Sequence, residues 1–212
     1  MAGLRERKKQ QTRRHIADVA TGLFLERGFD AVTVSEIAEA AEVSVNTVYN
    51  YFPAKEDLFF DREEEVVQRP SRVVRERAPG ESAAEALLRT LRRDVTERSA
   101  DIGMNEGYGR FLRVLRQSPA LLARVPRMDR ATVDALAATL AEETGAAPDD
   151  PVPELVAAQL VILQSVVHRI VGQAALTGGA PEEVARQALR KLDAAEALLS
   201  ETVLNYARRP AP

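Results

Sequence analysis

Asn46 and Asn50 stand four residues apart, and a carboxamide can pair with adenine through N7 and N6 together. Thr47 and Tyr51 repeat that spacing one residue further on, with hydroxyls able to donate to phosphate. Lys55 follows at a predicted helix start, where backbone N–H groups and an ammonium favour an anion. Interleaved with these are Val45, Val48, Tyr49 and Phe52, of which Val48 and Phe52 are best placed as anchors. A short helix over 44–52, capped by Ser44, therefore divides into an apolar side and a side of amides and hydroxyls. That division suits a rod held in a protein core and laid in the major groove. It also fits a helical hairpin whose polar residues are merely solvated.

Little other chemistry is assembled. The absence of cysteine excludes disulfides, thiolate metal sites and cysteine nucleophiles. The two histidines, His15 and His168, are far apart, so no zinc site is expected. There is no glycine-rich phosphate loop and no nucleophile elbow, which argues against an enzyme. No metal or cofactor is called for.

The elements that must position these residues are helical. Hydrophobic residues make up 45% and aromatics only 5% of the 212 residues, and alanine, leucine, arginine and glutamate dominate, a mix that favours helix. Ile16, Val19, Ala20, Leu23 and Phe24 give a helix over 10–27 an apolar stripe, with Gly28 at its cap. Thr33 and Glu36 form a capping box for the next, short helix, ahead of Ile37, Ala38 and Ala41. After the 44–52 helix, Pro53 breaks the chain and a further helix is expected from Ala54 to Gln68. Pro70 and Ala78-Pro79-Gly80 mark a domain boundary.

Beyond it, Ser82 and Glu85 open a helix to about Arg98, and another covers 105–117. Ser118-Pro119 opens a segment to Thr144 that Pro126 should kink or split. An apolar helix spans 154–177, and Pro181 opens a last one to about Arg208. The fold class is all-α: an N-terminal three-helix helix-turn-helix domain and a larger C-terminal helical ligand-binding and dimerisation domain. Residues 1–60 form the first, a connecting helix runs to about 69, and 70–212 form the second.

Residues 12–60 resemble the N-terminal domain of the TetR family of transcription regulators. The likeness runs through Ile16, Ala20, Leu23, Phe24 and Gly28, then Phe29-Asp30, Thr33-Val34, Ile37-Ala38 and Ala41, and is densest and gapless from Val43 to Phe59. It implies phosphate contacts by Thr33, Thr47, Tyr51 and Lys55, with Ser44 beside them, and base reading by Val45, Asn46, Tyr49 and Asn50, with Ser35 as an occasional member. Two residues depart from the family pattern. Asn46 stands where glycine is common, and Ala54 replaces the usual serine, weakening a helix cap by about 1 kcal/mol.

Between residues 1 and 14, Arg5, Arg7, Lys8, Lys9, Arg13 and Arg14 oppose a single acid, Glu6. Alone this reads as a solvated tail; beside the resemblance it reads as a DNA-seeking arm.

The C-terminal part is read from its residues. The helix over 154–177 is apolar nearly all round, so it must be covered all round, inside a monomer or by a two-fold partner in a four-helix bundle. The expected homodimer seam contains Leu163, Val167 and Val171 with Leu189, Leu192, Leu199 and Val203 of the last helix. Gln164 and His168 either orient a ligand or pair across that seam. Met104, Tyr108, Phe111, Leu115 and Met128 are further pocket candidates, or plain core.

These features lead to a DNA-binding regulator, expected to be a repressor released from a palindromic operator by a small, apolar-leaning inducer of unknown identity. An activator and an architectural DNA binder are the alternatives. No apolar run is expected to reach the ~20 residues of a membrane span, and the charged N-terminus lacks a signal core. A cytoplasmic protein with double-stranded DNA and a small molecule as partners, and no membrane, is expected.

Overall fold

The computed structural model describes residues 2–211, with the side chains of all of these except Ala2, Leu4 and Arg5. Every regular element among the described residues is helical. The chain divides into two compact units: residues 1–63 with 110–124, and residues 64–109 with 125–212.

The first unit is built on α1 (Ala2–Arg27), α2 (Val34–Ala40), α3 (Val45–Tyr51) and α4 (Lys55–Phe59). Gly28 ends α1 with φ 87°, a conformation that glycine adopts without a Cβ penalty. Ile16, Ala20 and Phe24 of α1 are fully buried, as are Ile37 of α2, Val48 of α3 and Leu58 of α4. Phe29 joins them, with its ring centroid 5.0 Å from Phe24 and 6.0 Å from Phe59. Most of α7 (Tyr108–Gln117) and the first residues of α8 (Pro119–Thr144) complete this unit. The Phe111 ring stacks on Phe59 at 4.4 Å, and Val114 and Leu121 are buried.

The second unit holds most of α5 (Glu63–Arg75), then α6 (Ala83–Thr96), the rest of α8, α9 (Val152–Thr177), α10 (Pro181–Glu196) and α11 (Glu201–Asn205). Its core joins Leu88 and Leu91 of α6, Leu136 and Leu140 of α8, Leu160, Leu163 and Val167 of α9, and Leu192 of α10. Ser82 caps α6 as its spacing predicts and also donates from its hydroxyl to the Leu204 carbonyl, 2.6 Å away.

Several boundaries differ from the sequence-based ones. Helix α1 begins at Ala2, so the basic segment is helical. The helix expected over 54–68 is two helices, separated at residues 60–62. Pro70 lies inside α5, not at a boundary, and is buried there. Pro126 neither ends nor splits α8. A proline interrupts only its own hydrogen bond, to the carbonyl four residues back, and in α8 that residue is the exposed Leu122.

The last helix stops at Glu196 and restarts after Ser200, whose side chain accepts from the Val203 N–H. Helix α11 thus sends Val203 back into the core, with Tyr206 packed against it, and Val203 does not continue the line of α10. Helix α9 has the length and apolarity to cross a membrane, contrary to the reading of the sequence, but Leu160, Leu163 and Val167 of its inner face are packed in the core.

Candidate DNA-binding interface

Local interactions fix α2 and α3. The Thr33 hydroxyl accepts from the Glu36 N–H while the Glu36 carboxylate accepts from the Thr33 N–H at 2.8 Å. Arg27 donates to the same carboxylate at 2.6 Å, and with the Thr33 bonds it holds the Glu36 pKa down to about 2. The turn between the helices runs through Glu42, at φ 54° in the left-handed region. A non-glycine residue there costs roughly 1–2 kcal/mol. The turn is closed by the Val43 N–H donating to the Ala38 carbonyl at 2.9 Å. Ser44 then starts α3: its hydroxyl accepts from the Thr47 N–H at 3.0 Å and lies 2.8 Å from the Thr47 hydroxyl.

Helix α3 is sharply divided. Val48 is 0% and Phe52 1% exposed, which pins one side. Val45 is 38% and Tyr49 48% exposed although both are apolar or aromatic, and Asn46 and Asn50 are also exposed. Thr47 and Tyr51 are half-buried, while Thr33, Ser35 and Ser44 are exposed. The side chains expected to read bases thus share the open side of one helix, and the hydroxyls lie at its margin and at the start of α2.

The cations are distributed differently from the sequence reading. Lys55 lies with Nζ 4.3 Å from the centre of the Phe29 ring, half-buried, and burial pushes its pKa down. Its ammonium therefore rests on the aromatic cluster. Ala54 gives α4 no side-chain cap; only the return half of a box remains, the Asp57 carboxylate accepting from the Ala54 N–H at 2.8 Å. Arg13 turns inward, 4.7 Å over the Phe52 ring and donating to the Asp61 carbonyl at 3.2 Å. Arg7, Lys8, Lys9 and Arg14 are exposed along α1; the Arg5 side chain lies outside those described.

Two features of this unit had no sequence-based expectation. The buried Ser118 hydroxyl donates to the Asp30 carboxylate at 3.0 Å, and Arg124 pairs with Asp57 at 2.7 Å and Glu63 at 2.5 Å. The distribution of charge by segment carries a signal for this region, since residues 110–124 hold four arginines and no acid.

The pocket candidates separate. Phe111 and Leu115 belong to the first unit. Tyr108 packs on Gly103, where a Cβ would fall 2.4 Å from its ring, and burial raises its phenol pKa. Met104 and Met128 are half-buried in the second unit. Only Gln164 lines the narrow cleft found there, with Arg69, Val73, Leu87, Thr90 and Leu160 among its other walls. His168, one turn on, has its pKa lowered to about 4 by burial, then by the Arg69 cation, with Asp94 opposing. Arg69 and Asp94 are ion-paired at 2.5 Å, the carboxylate almost fully buried.

The seam candidates also need correction. Leu163, Val167, Val171, Leu192 and Val203 are buried by this chain's own helices, and Leu189 and Leu199 are half-buried against the same core. The large apolar residues that α9 leaves open are Leu155, 59% exposed, Ile162, 56% exposed, and, at its first position, Val152, 37% exposed. The seam expectation put the core side of the helix outward, because a helix apolar all round does not reveal from sequence which stripe its own fold covers.

Two short helices joined by a tight turn and backed by a longer one, with one face of the second helix pinned and the other open, define a helix-turn-helix DNA-binding protein. The profile of the bacterial regulatory proteins, tetR family, matches residues 16–61. The HTH-type transcriptional regulator TcmR of Streptomyces glaucescens is 30% identical over 173 residues, 79% of this chain and 76% of its own. AcrR of Shigella flexneri is 42% identical over 59 residues, 28% of this chain and 27% of its own. Among solved structures, NalD of Pseudomonas aeruginosa superposes with a TM-score of 0.56 at 20% identity, covering 89% of this chain and 97% of that one. SmeT of Stenotrophomonas maltophilia does so at 0.56 and 18%, covering 94% and 97%. The chain belongs to the TetR family and is a helix-turn-helix transcription regulator.

Proposed function

We propose that this protein is a homodimeric, cytoplasmic repressor that binds a palindromic operator through α3 and leaves it when a small apolar-leaning molecule occupies the second unit. The observation that carries the reading is the division of α3: Val48 and Phe52 sealed in the core, Asn46, Tyr49 and Asn50 open to solvent. Burying the open side inside the chain would strand the amides' donors and acceptors, whereas base edges satisfy them.

Dimerisation supports the same reading. Leu155 and Ile162 are seven residues apart, on one stripe of α9, and exposed apolar side chains in such a stripe suit a two-fold partner. Two reading heads then meet two half-sites about one helical turn apart. A narrow cleft in the second unit, with apolar walls and the polar Arg69, Thr90 and Gln164, has room for about one water as it stands, so a small molecule binding there would have to widen it. Such a molecule acts by preferring the conformer that does not fit DNA. The direction of control is supported by fold alone: NalD and SmeT are repressors of multidrug efflux pumps.

Selection of genomic fragments with the purified protein tests the reading. A protected, two-fold symmetric footprint on the recovered fragments, displaced by members of a small-molecule library, is expected. Equal retention of recovered and random fragments would overturn it.

A further inference from the structure

The reading head has an unexpected charge problem. Residues 1–63, which contain α1 to α4, carry nine arginines and lysines against eleven aspartates and glutamates. At least three of these cations are already engaged, among them Arg13 with the Phe52 ring and the Asp61 carbonyl, Arg27 with Glu36, and Lys55 on Phe29. An anionic head would be repelled by a polyanion, since phosphate neutralisation supplies most of the sequence-independent affinity. Residues 110–124, which belong to the same compact unit, bring four arginines and no acid and reverse the sign.

Of those four, Arg124 is consumed by Asp57 and Glu63. Arg110, Arg113 and Arg116 of α7 are all exposed and, among the described residues, none has a carboxylate within ion-pair distance. Their three-residue spacing puts them on one side of the helix. Phe111 and Val114 hold the other side in the core. No large apolar side chain of α7 is exposed. The strip therefore presents cationic charge with no exposed aromatic anchor beside it. Its C-terminal end is fixed next to the turn that enters α2. Ser118, two residues after Arg116, is bonded to Asp30, three residues before the Thr33 cap.

We propose that Arg110, Arg113 and Arg116 are a second strip of backbone contacts, which holds the sugar–phosphate chain flanking the half-site read by α3. The inference rests on the DNA-binding reading above and adds a surface outside residues 16–61 to it. The strip carries no sequence information; it raises affinity for all duplexes alike.

The test compares the full-length wild type with R110Q/R113Q/R116Q and R110K/R113K/R116K on a random-sequence duplex over a salt series. The glutamine variant is expected to flatten the log–log salt slope by about 0.9 for each phosphate no longer neutralised, up to about 2.7, and to bind at least about ten-fold more weakly near 0.1 M salt. The lysine variant keeps both slope and affinity, because a phosphate requires the charge more than the fork. Thermal melts of all three should coincide, which separates a missing phosphate clamp from a damaged fold. A glutamine variant with unaltered slope and affinity overturns the strip and leaves the α3 reading standing. A wild type that binds no duplex at all brings down both.

Discussion

Helices α3 and α9 solve the same problem with opposite outer faces. Each seals one side in a core, α3 through Val48, α9 through Leu160, Leu163 and Val167. On the open side α3 shows Asn46 and Asn50, whereas α9 shows Leu155 and Ile162. The buried sides are alike in kind, and the open sides differ in the partners they suit. Amides remain well solvated in water and gain directional bonds from base edges. Leucine and isoleucine gain only by leaving water, at about 25 cal/mol per Å² removed.

The sharpest way to break this contrast is to place a charge on the α9 stripe. Ile162→Asp with Leu155→Asp should convert a dimer to monomers in sedimentation velocity. Burying an unpaired carboxylate at a contact costs several kcal/mol, whereas in the monomer both sites face solvent and far-UV circular dichroism should not change. Persistence of the dimer would show that a different surface joins the two copies.

A second test concerns the interior behind that stripe. His168 is held neutral, with its pKa lowered to about 4. The unfolded chain takes up this proton first as pH falls. Its contribution is therefore intact above about 6.5 and is lost progressively between 6.5 and 4. Urea titrations across that window should show wild type losing more stability than His168→Gln, by a few kcal/mol at most. Parallel pH profiles would show that the imidazole is not shielded as the structure implies.

On α3 the effect should be smaller and should fall on recognition alone. Asn50→Ala is expected to cost about 1–3 kcal/mol of discrimination on the selected operator, with folding stability changed by less than about 0.5 kcal/mol because the side chain is exposed. Equal weakening on random and selected duplexes would show a contact to phosphate rather than to base. The smallest expected effect is at Ala54, whose backbone is extended as a cap requires, φ −128° and ψ 157°, but which has no oxygen to offer. Ala54→Ser should stabilise the fold by about 0.5–1 kcal/mol, read as a small rise in Tm.

What is legible in advance follows the range of the interaction. The boxes Thr33–Glu36 and Ser82–Glu85 are three-residue signals and are present as their spacing predicts. The division of α3 is equally legible, since Val48 and Phe52 against Asn46 and Asn50 is a helical period. Long-range packing is not legible. Phe111 reads in sequence as a ligand-pocket residue because nothing local says that its ring stacks on Phe59, fifty-two positions earlier. Leu163 and Val167 read as seam residues for the same reason. Lys55 and Arg13 look free in sequence, and only the folded aromatic rings claim them.

The stacking of Phe111 on Phe59, with the Asp30–Ser118 bond beside it, has a consequence for anyone who recombines such regulators. A chimaera cut after residue 63 transplants half of an interlocked piece: the donor's ring at position 59 meets a foreign side chain at 111, and Arg124 inherits strangers at 57 and 63. A graft that carries 110–124 along with the first sixty-three residues keeps the interlock whole. For this chain, the unit of exchange is discontinuous in the gene.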